Sequence, residues 1–141
     1  MHGHRSLSRK VLVAFPEESL HGFSVGGMRP YSQIIPRNDQ MSAPSLKGFA
    51  TGEWDVINFK EMYPKLELLK MWDQAKLDRN HWWHHLSPDK FQEADNAFGQ
   101  WEGKLYDLIL YLLDNEIHHR GQGYVYLRVL GIEPPFIWDR G

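Results

Sequence analysis

The sequence contains no cysteine. Disulfides, thiolate metal ligands and a cysteine nucleophile are therefore excluded, and any thiol cosubstrate has to come from outside the chain. This absence fits a cytoplasmic protein. Long apolar runs are also missing. The longest, Val11–Phe15 and Leu108–Leu113, fall far short of the roughly 20 residues of a membrane span. Basic Met1–Lys10 leads into an apolar stretch too short and interrupted for a secretory signal. Positive charge is not in excess: 16 Lys and Arg face 18 Asp and Glu, for a net charge of −2. With no basic stripe, nucleic acid is not the expected partner. Sustained alternation and Asn-Gly turns are absent, so no β-structure is expected. No P-loop, dinucleotide fingerprint or nucleophile elbow occurs.

What is present suits one all-α domain spanning residues 1–141. Six Trp, six Tyr and seven Phe supply large side chains for a core. A short helix is expected from Ser6 to Phe15, stopped by Pro16 and followed by a loop to Gly27. A second element, from Arg29 to Phe49, should be broken or kinked, because Pro36 and Pro44 fall inside it and Asn38 and Asp39 favour turns. A third helix should run from Pro64 to about Leu86. Its apolar line Leu68, Met71, Trp72, Ala75, Trp82 and Leu86 has one gap, around Arg79. Asp89–Trp101 reads as a connector. The fourth helix, Glu102 to Leu130, is the clearest, and Gly131 with Pro134-Pro135 ends it.

The chemistry lies in a polar interruption of that fourth helix. Asn115 and His119 continue the line of Leu108 and Leu112, so they should point inward, and Glu116 forms a Glu-x-x-His pair with His119. Two ligands three or four residues apart on one helix can reach one cation. The other reading is a core histidine hydrogen-bonded to Asn115 or to another helix. His81 and His85 are also four apart, but at the end of the third helix the helix dipole and packing explain them. Gly121 and Gly123 would permit close helix contact or a slight bend.

Asn115-Glu116-Ile117-His118-His119-Arg120-Gly121-Gln122, then Tyr126-Leu127-Arg128 and Gly131, resembles the C-terminal signature of the DinB/YfiT-like superfamily. The resemblance is specific over about Leu105 to Asp139 and weaker upstream. It implies an up-down-down-up four-helix bundle and a homodimer. It also implies a divalent metal, Zn or Ni, held by three histidines that activates the thiol of a small-molecule substrate or cosubstrate, such as mycothiol or bacillithiol, for transfer or isomerisation. Residue by residue the match is partial. His119 occupies the second motif histidine, Asn115 stands at the first, and the second-helix region from Tyr31 to Met41 offers only Asp39 as a carboxylate. Three readings follow. A modified metal site would use His119 with Glu116 or Asn115, plus Asp39 or a third-helix histidine, and would serve a thiol transferase or hydrolase. A metal-free polar pocket would bind a small ligand. A non-catalytic dimeric scaffold would have lost the metal site.

Overall fold

A computed structural model describes residues 2–58 and 62–141. Five helices form: α1 (His2–Ala14), α2 (Glu17–Gly22), α3 (Tyr31–Thr51), α4 (Lys65–Trp83) and α5 (Leu105–Val129). Two short strands, β1 (Ala94–Ala97) and β2 (Trp101–Lys104), pair antiparallel in the register Ala94 to Lys104 and Ala97 to Trp101. The architecture is mostly helical. Helix α1 packs on α4 and α5, and α3 packs on the same two. Among the described residues no helix is long and apolar enough to cross a membrane.

Three expectations are overturned. The second element is not broken. Helix α3 runs for 21 residues with both Pro36 and Pro44 inside it. Each proline removes one backbone hydrogen bond, but the helix buries a long face, including Ile34, Ile35, Asn38, Asp39, Ser42, Leu46 and Phe49. That burial outweighs the lost bonds and the poor local propensity. Gly52, at φ 77°, ends α3, its N–H bonding the Gly48 carbonyl at 2.7 Å. The connector is not free of β-structure either. Its hairpin turns through Phe98 (φ 54°) and Gly99 (φ 68°). A left-handed phenylalanine is costly, and here the ring lies 4.7 Å from that of Trp54. Ala-Asp-Asn-Ala carries almost no strand propensity, which is why the pattern was silent. A short helix, α2, also interrupts the expected loop, opened by Pro16 with Glu17 and Glu18 in its first turn.

Helix α5 ends as its sequence predicts. Gly131 takes φ 76°, and the Ile132 N–H reaches back to the Leu127 carbonyl at 2.8 Å.

Every long helix changes character along its length. Tyr31, Ile34 and Ile35 of α3, Leu68 and Trp72 of α4, Val11 and Leu12 of α1, and Tyr126 and Leu127 of α5 form one apolar cluster. Leu46 and Phe49 of α3, Leu86 beyond α4, and Leu105 and Ile109 of α5 form a second. Between the two lies a layer of buried charge: Arg5, Asp39, Arg79, Glu116 and Arg120.

The first cluster needs a glycine on α5. A Cβ at Gly123 would sit 2.7 Å from the Tyr31 ring and 2.9 Å from Val11 Cγ1, whereas Gly121 faces open space. Gly123→Ala should therefore lower the unfolding free energy by about 1–3 kcal/mol through overpacking. Gly121→Ala should be neutral or gain up to about 1 kcal/mol from helix propensity. Urea unfolding of both variants checks this, and equal effects would refute the close contact.

Candidate functional site

Helix α1 delivers the first component. Arg5, Ser8, Leu12 and Phe15 recur at helical spacing, so the inward line of α1 begins with a cation. Arg5 is 2% exposed and lies over the Trp72 ring, with its guanidinium carbon 3.2 Å from the ring centroid. Trp72 returns a hydrogen bond, its Nε1–H donating to the Arg5 carbonyl at 3.1 Å. The Arg5 guanidinium pairs with Asp39 of α3 in direct contact and with Glu116 Oε2 of α5 at 3.6 Å. One side chain thus ties all four long helices together.

Glu116 and Arg120 extend the layer. Glu116 Oε1 accepts from Ser8 Oγ at 2.8 Å and lies 3.9 Å from Arg120 Nη1. Arg120 donates to the His4 carbonyl at 3.1 Å, to Ser8 Oγ at 3.3 Å and from Nη2 to His4 Nδ1 at 3.2 Å. An imidazole nitrogen that accepts must be unprotonated. In agreement, burial first, then Arg120 and Arg140, hold the His4 pKa below its ordinary value. Arg79 fills the gap in the apolar line of α4 and is 6% exposed. Burial, and then Arg5, push its pKa down to about 10, so it remains a cation at neutral pH. Three buried arginines face two buried carboxylates, leaving the layer one positive charge in excess.

The four residues that the sequence offered as metal ligands do not share a centre. Asp39 and Glu116 both serve Arg5. Asn115 Nδ2 donates to Asn38 Oδ1 of α3 at 2.9 Å. His119 is half-buried, its Nδ1 meeting Gln122 Oε1 at 2.8 Å, while Gln122 Nε2 donates to Met28 Sδ at 3.3 Å. Among the described residues no group of three or more His, Asp or Glu side chains is arranged to hold a metal ion. A divalent cation would enter a layer already one positive charge in excess, and it would have to take its carboxylates from Arg5. The residues present do not fit the resident metal that the resemblance implies. His81 and His85 are exposed and joined locally, His85 Nδ1 lying 2.9 Å from the His81 carbonyl.

Sequence reasoning missed Arg5, Asn38 and Arg79. The gap in the α4 line was the available signal for Arg79, and the inward spacing of α1 was the signal for Arg5. Arg120, which the sequence marked only as part of the C-terminal signature, is buried.

Open space lies beside the layer. One turn beyond the Asn38–Asn115 pair, a cavity of about 360 Å³ separates α3, the hairpin and α5. Met41, Phe49, Phe98, Trp101, Leu108, Tyr111 and Leu112 give it apolar and aromatic walls, and its charged lining residues are Glu102 and Asp107 alone. A neighbouring cavity of about 440 Å³ shares Met41, Phe98 and Trp101 with it and adds Trp54 and Asp55. Lys47 pairs with Asp55 at 2.9 Å.

Asp39 makes the layer sensitive to pH. Burial, opposed by Arg5, pushes its carboxyl up to about 6 from 3.8. The folded state then holds the proton more tightly than the unfolded state. Its contribution to stability is full below about pH 4 and is lost as pH rises through 6, up to about 3 kcal/mol in all. The unfolding free energy of the native chain minus that of Asp39→Asn should therefore fall between pH 4 and pH 7.5. A difference that is flat or rises with pH would mean that Arg5 outweighs burial and keeps Asp39 ionised.

The sequence model of the DinB family matches residues 64–138, more than half of the chain. Among solved structures, the fold is similar to the crystal structure of a DinB-like protein from Bacillus cereus ATCC 10987. The TM-score is 0.77 at 15% identity, covering 96% of this chain and 91% of that one. No curated protein sequence matches. With its C-terminal signature, its helical fold and this match over all of α4 and α5, the chain belongs to the DinB family.

Proposed function

We propose that this DinB-family chain is a small-molecule-binding protein that works without a resident metal, and that its ligand is an organic cation with an apolar body. The observation that carries this reading is the cavity between α3, the hairpin and α5. Its walls are aromatic and apolar, and both charged residues that line it are carboxylates. Glu102 and Asp107 have no ion-pair partner among the described residues. Aromatic faces attract a cation through their quadrupole, and carboxylates add an opposite charge at short range. The volume suits a compact organic molecule.

Binding is favoured over catalysis by what the cavity walls contain. Ser45 lines it, but its hydroxyl donates to the Met41 carbonyl one turn back and is not paired with a base. The thiol-transferase reading requires a metal, for which the buried layer supplies one cation too many and no grouped ligands.

Benzylamine tests the reading against benzyl alcohol, its neutral counterpart, by isothermal titration. The amine should bind several-fold more tightly and shift the Trp101 indole N–H signal. Trp101→Ala and Asp107→Asn should each weaken it by about 2- to 30-fold, the range of a cation–π or exposed charge contact. Equal affinity for amine and alcohol, or an amine signal unchanged in both variants, would refute it.

A further inference from the structure

Arg79 is the one buried arginine without a carboxylate at ion-pair distance among the described residues. Its Nε–H donates one long hydrogen bond, to the Ala75 carbonyl of its own preceding turn, at 3.4 Å. Among the described residues the two terminal nitrogens of its guanidinium have no protein acceptor, although Arg79 is more than nine-tenths buried. A guanidinium carries five donors in a fixed fork, and leaving such donors unpaired away from bulk water is costly. The space that Arg79 lines is therefore where these donors meet water or a ligand.

That space is a second cavity of about 400 Å³, on the face of α3 next to the one that lines the aromatic cavity. Leu46 of α3, Arg79, Asn80 and Trp83 of α4, His84 just beyond α4 and His2 of α1 line it. None of these residues is acidic. Asn80 has an amide donor to offer and the two histidines have ring nitrogens, while Leu46 and the half-open indole of Trp83 form an apolar wall. On the other side of Arg79 a void of only about 10 Å³ touches Glu116, enough for about one water and no larger partner.

The charge of the layer points the same way. Arg5 and Arg120 each have a carboxylate at ion-pair distance, Asp39 or Glu116, whereas Arg79 has none among the described residues. An anion in the cavity would neutralise its charge.

We infer that the cavity at the C-terminal end of α4 is a second binding site, for a small carboxylate with an apolar body, anchored by the Arg79 guanidinium and packed against Trp83 and Leu46. The carboxylate oxygens accept two parallel N–H bonds from Arg79, as guanidinium–carboxylate pairs do. The apolar body covers the indole face, which neither phosphate nor another purely hydrophilic anion would use. This site is separate from the proposed amine site. It shares no lining residue with the aromatic cavity, and its ligand has the opposite charge.

The test titrates the full chain with benzoate, benzyl alcohol and inorganic phosphate, followed by isothermal titration and by indole N–H signals. Benzoate should bind about tenfold or more tightly than benzyl alcohol, move the Trp83 indole signal and leave that of Trp101 in place. Arg79→Met should abolish the preference for benzoate over the alcohol. Trp83→Ala, at an exposed position that leaves the core intact, should weaken benzoate several-fold while leaving phosphate unaffected. The proposal is overturned if benzoate binds no better than benzyl alcohol, or if its binding is unchanged in Trp83→Ala. It is equally overturned if phosphate outcompetes benzoate, since that would make the site one for hydrophilic anions. Failure of benzylamine to bind leaves all of these outcomes readable, because the benzoate signal rests on different residues.

Discussion

The contact of Arg5 with Trp72, Asp39 and Glu116 is the constraint around which the rest of this structure is arranged. A guanidinium at 2% exposure can exist only if its charge is balanced nearby. Asp39 and Glu116 supply that balance from α3 and α5, and Trp72 supplies a face from α4. Asp39 in turn depends on Arg5, and Glu116 on Arg5 together with Ser8 and Arg120. Removing one member of such a buried set leaves the others uncompensated, at a cost of about 3–5 kcal/mol. The set gains its value from being complete, and completeness requires all four long helices in their observed places.

Several features follow from that layer. It divides the interior into two apolar clusters, one around Tyr31 and Trp72 and one around Phe49 and Leu105. It also employs the carboxylates that a cation site would otherwise use, and with Arg79 and Arg120 it leaves the interior positive. Two cavities lie at its edges. On one side lies a cavity with aromatic walls and unpaired carboxylates, on the other a cavity with an arginine and no carboxylate. The two cavities have opposite polarity: Glu102 and Asp107, which lie outside the layer, line one, and Arg79 of the layer lines the other.

The sequence revealed those parts of the molecule that depend on local periodicity. Helix α5, its glycine stop and the family signature were legible because an apolar line, Gly131 and a fixed run of residues are all local. The requirement for a small residue at Gly123 was legible too, although Gly121 shared the same reading and has no such role. Helix α3 was not, since its survival through Pro36 and Pro44 depends on a buried face that only neighbouring helices create. The hairpin was silent because its turn is held by Phe98 packing on Trp54, a long-range contact, and Trp101 is the one residue of its two strands that favours extension. At the site, Asn115, Glu116 and His119 were visible as an interruption of an apolar line, but their partners were not. Arg5 and Asn38 lie 111 and 77 residues away from Glu116 and Asn115, respectively, and periodicity carries no information at that distance. Arg79 appeared only as a missing apolar residue.

Asp39 and Glu116, the carboxylates that the sequence offered for a divalent cation, are both engaged by Arg5. The most direct test of the metal-free reading is elemental analysis of tag-free protein after exposure to Zn and Ni and exhaustive dialysis. A parallel sample of a variant lacking His2 and His4 separates terminal histidine binding from binding in the interior. The account predicts that no stoichiometric metal is retained by that variant. About one equivalent of Zn or Ni retained there, and lost in His119→Ala, would contradict it and establish a working metal centre on α5.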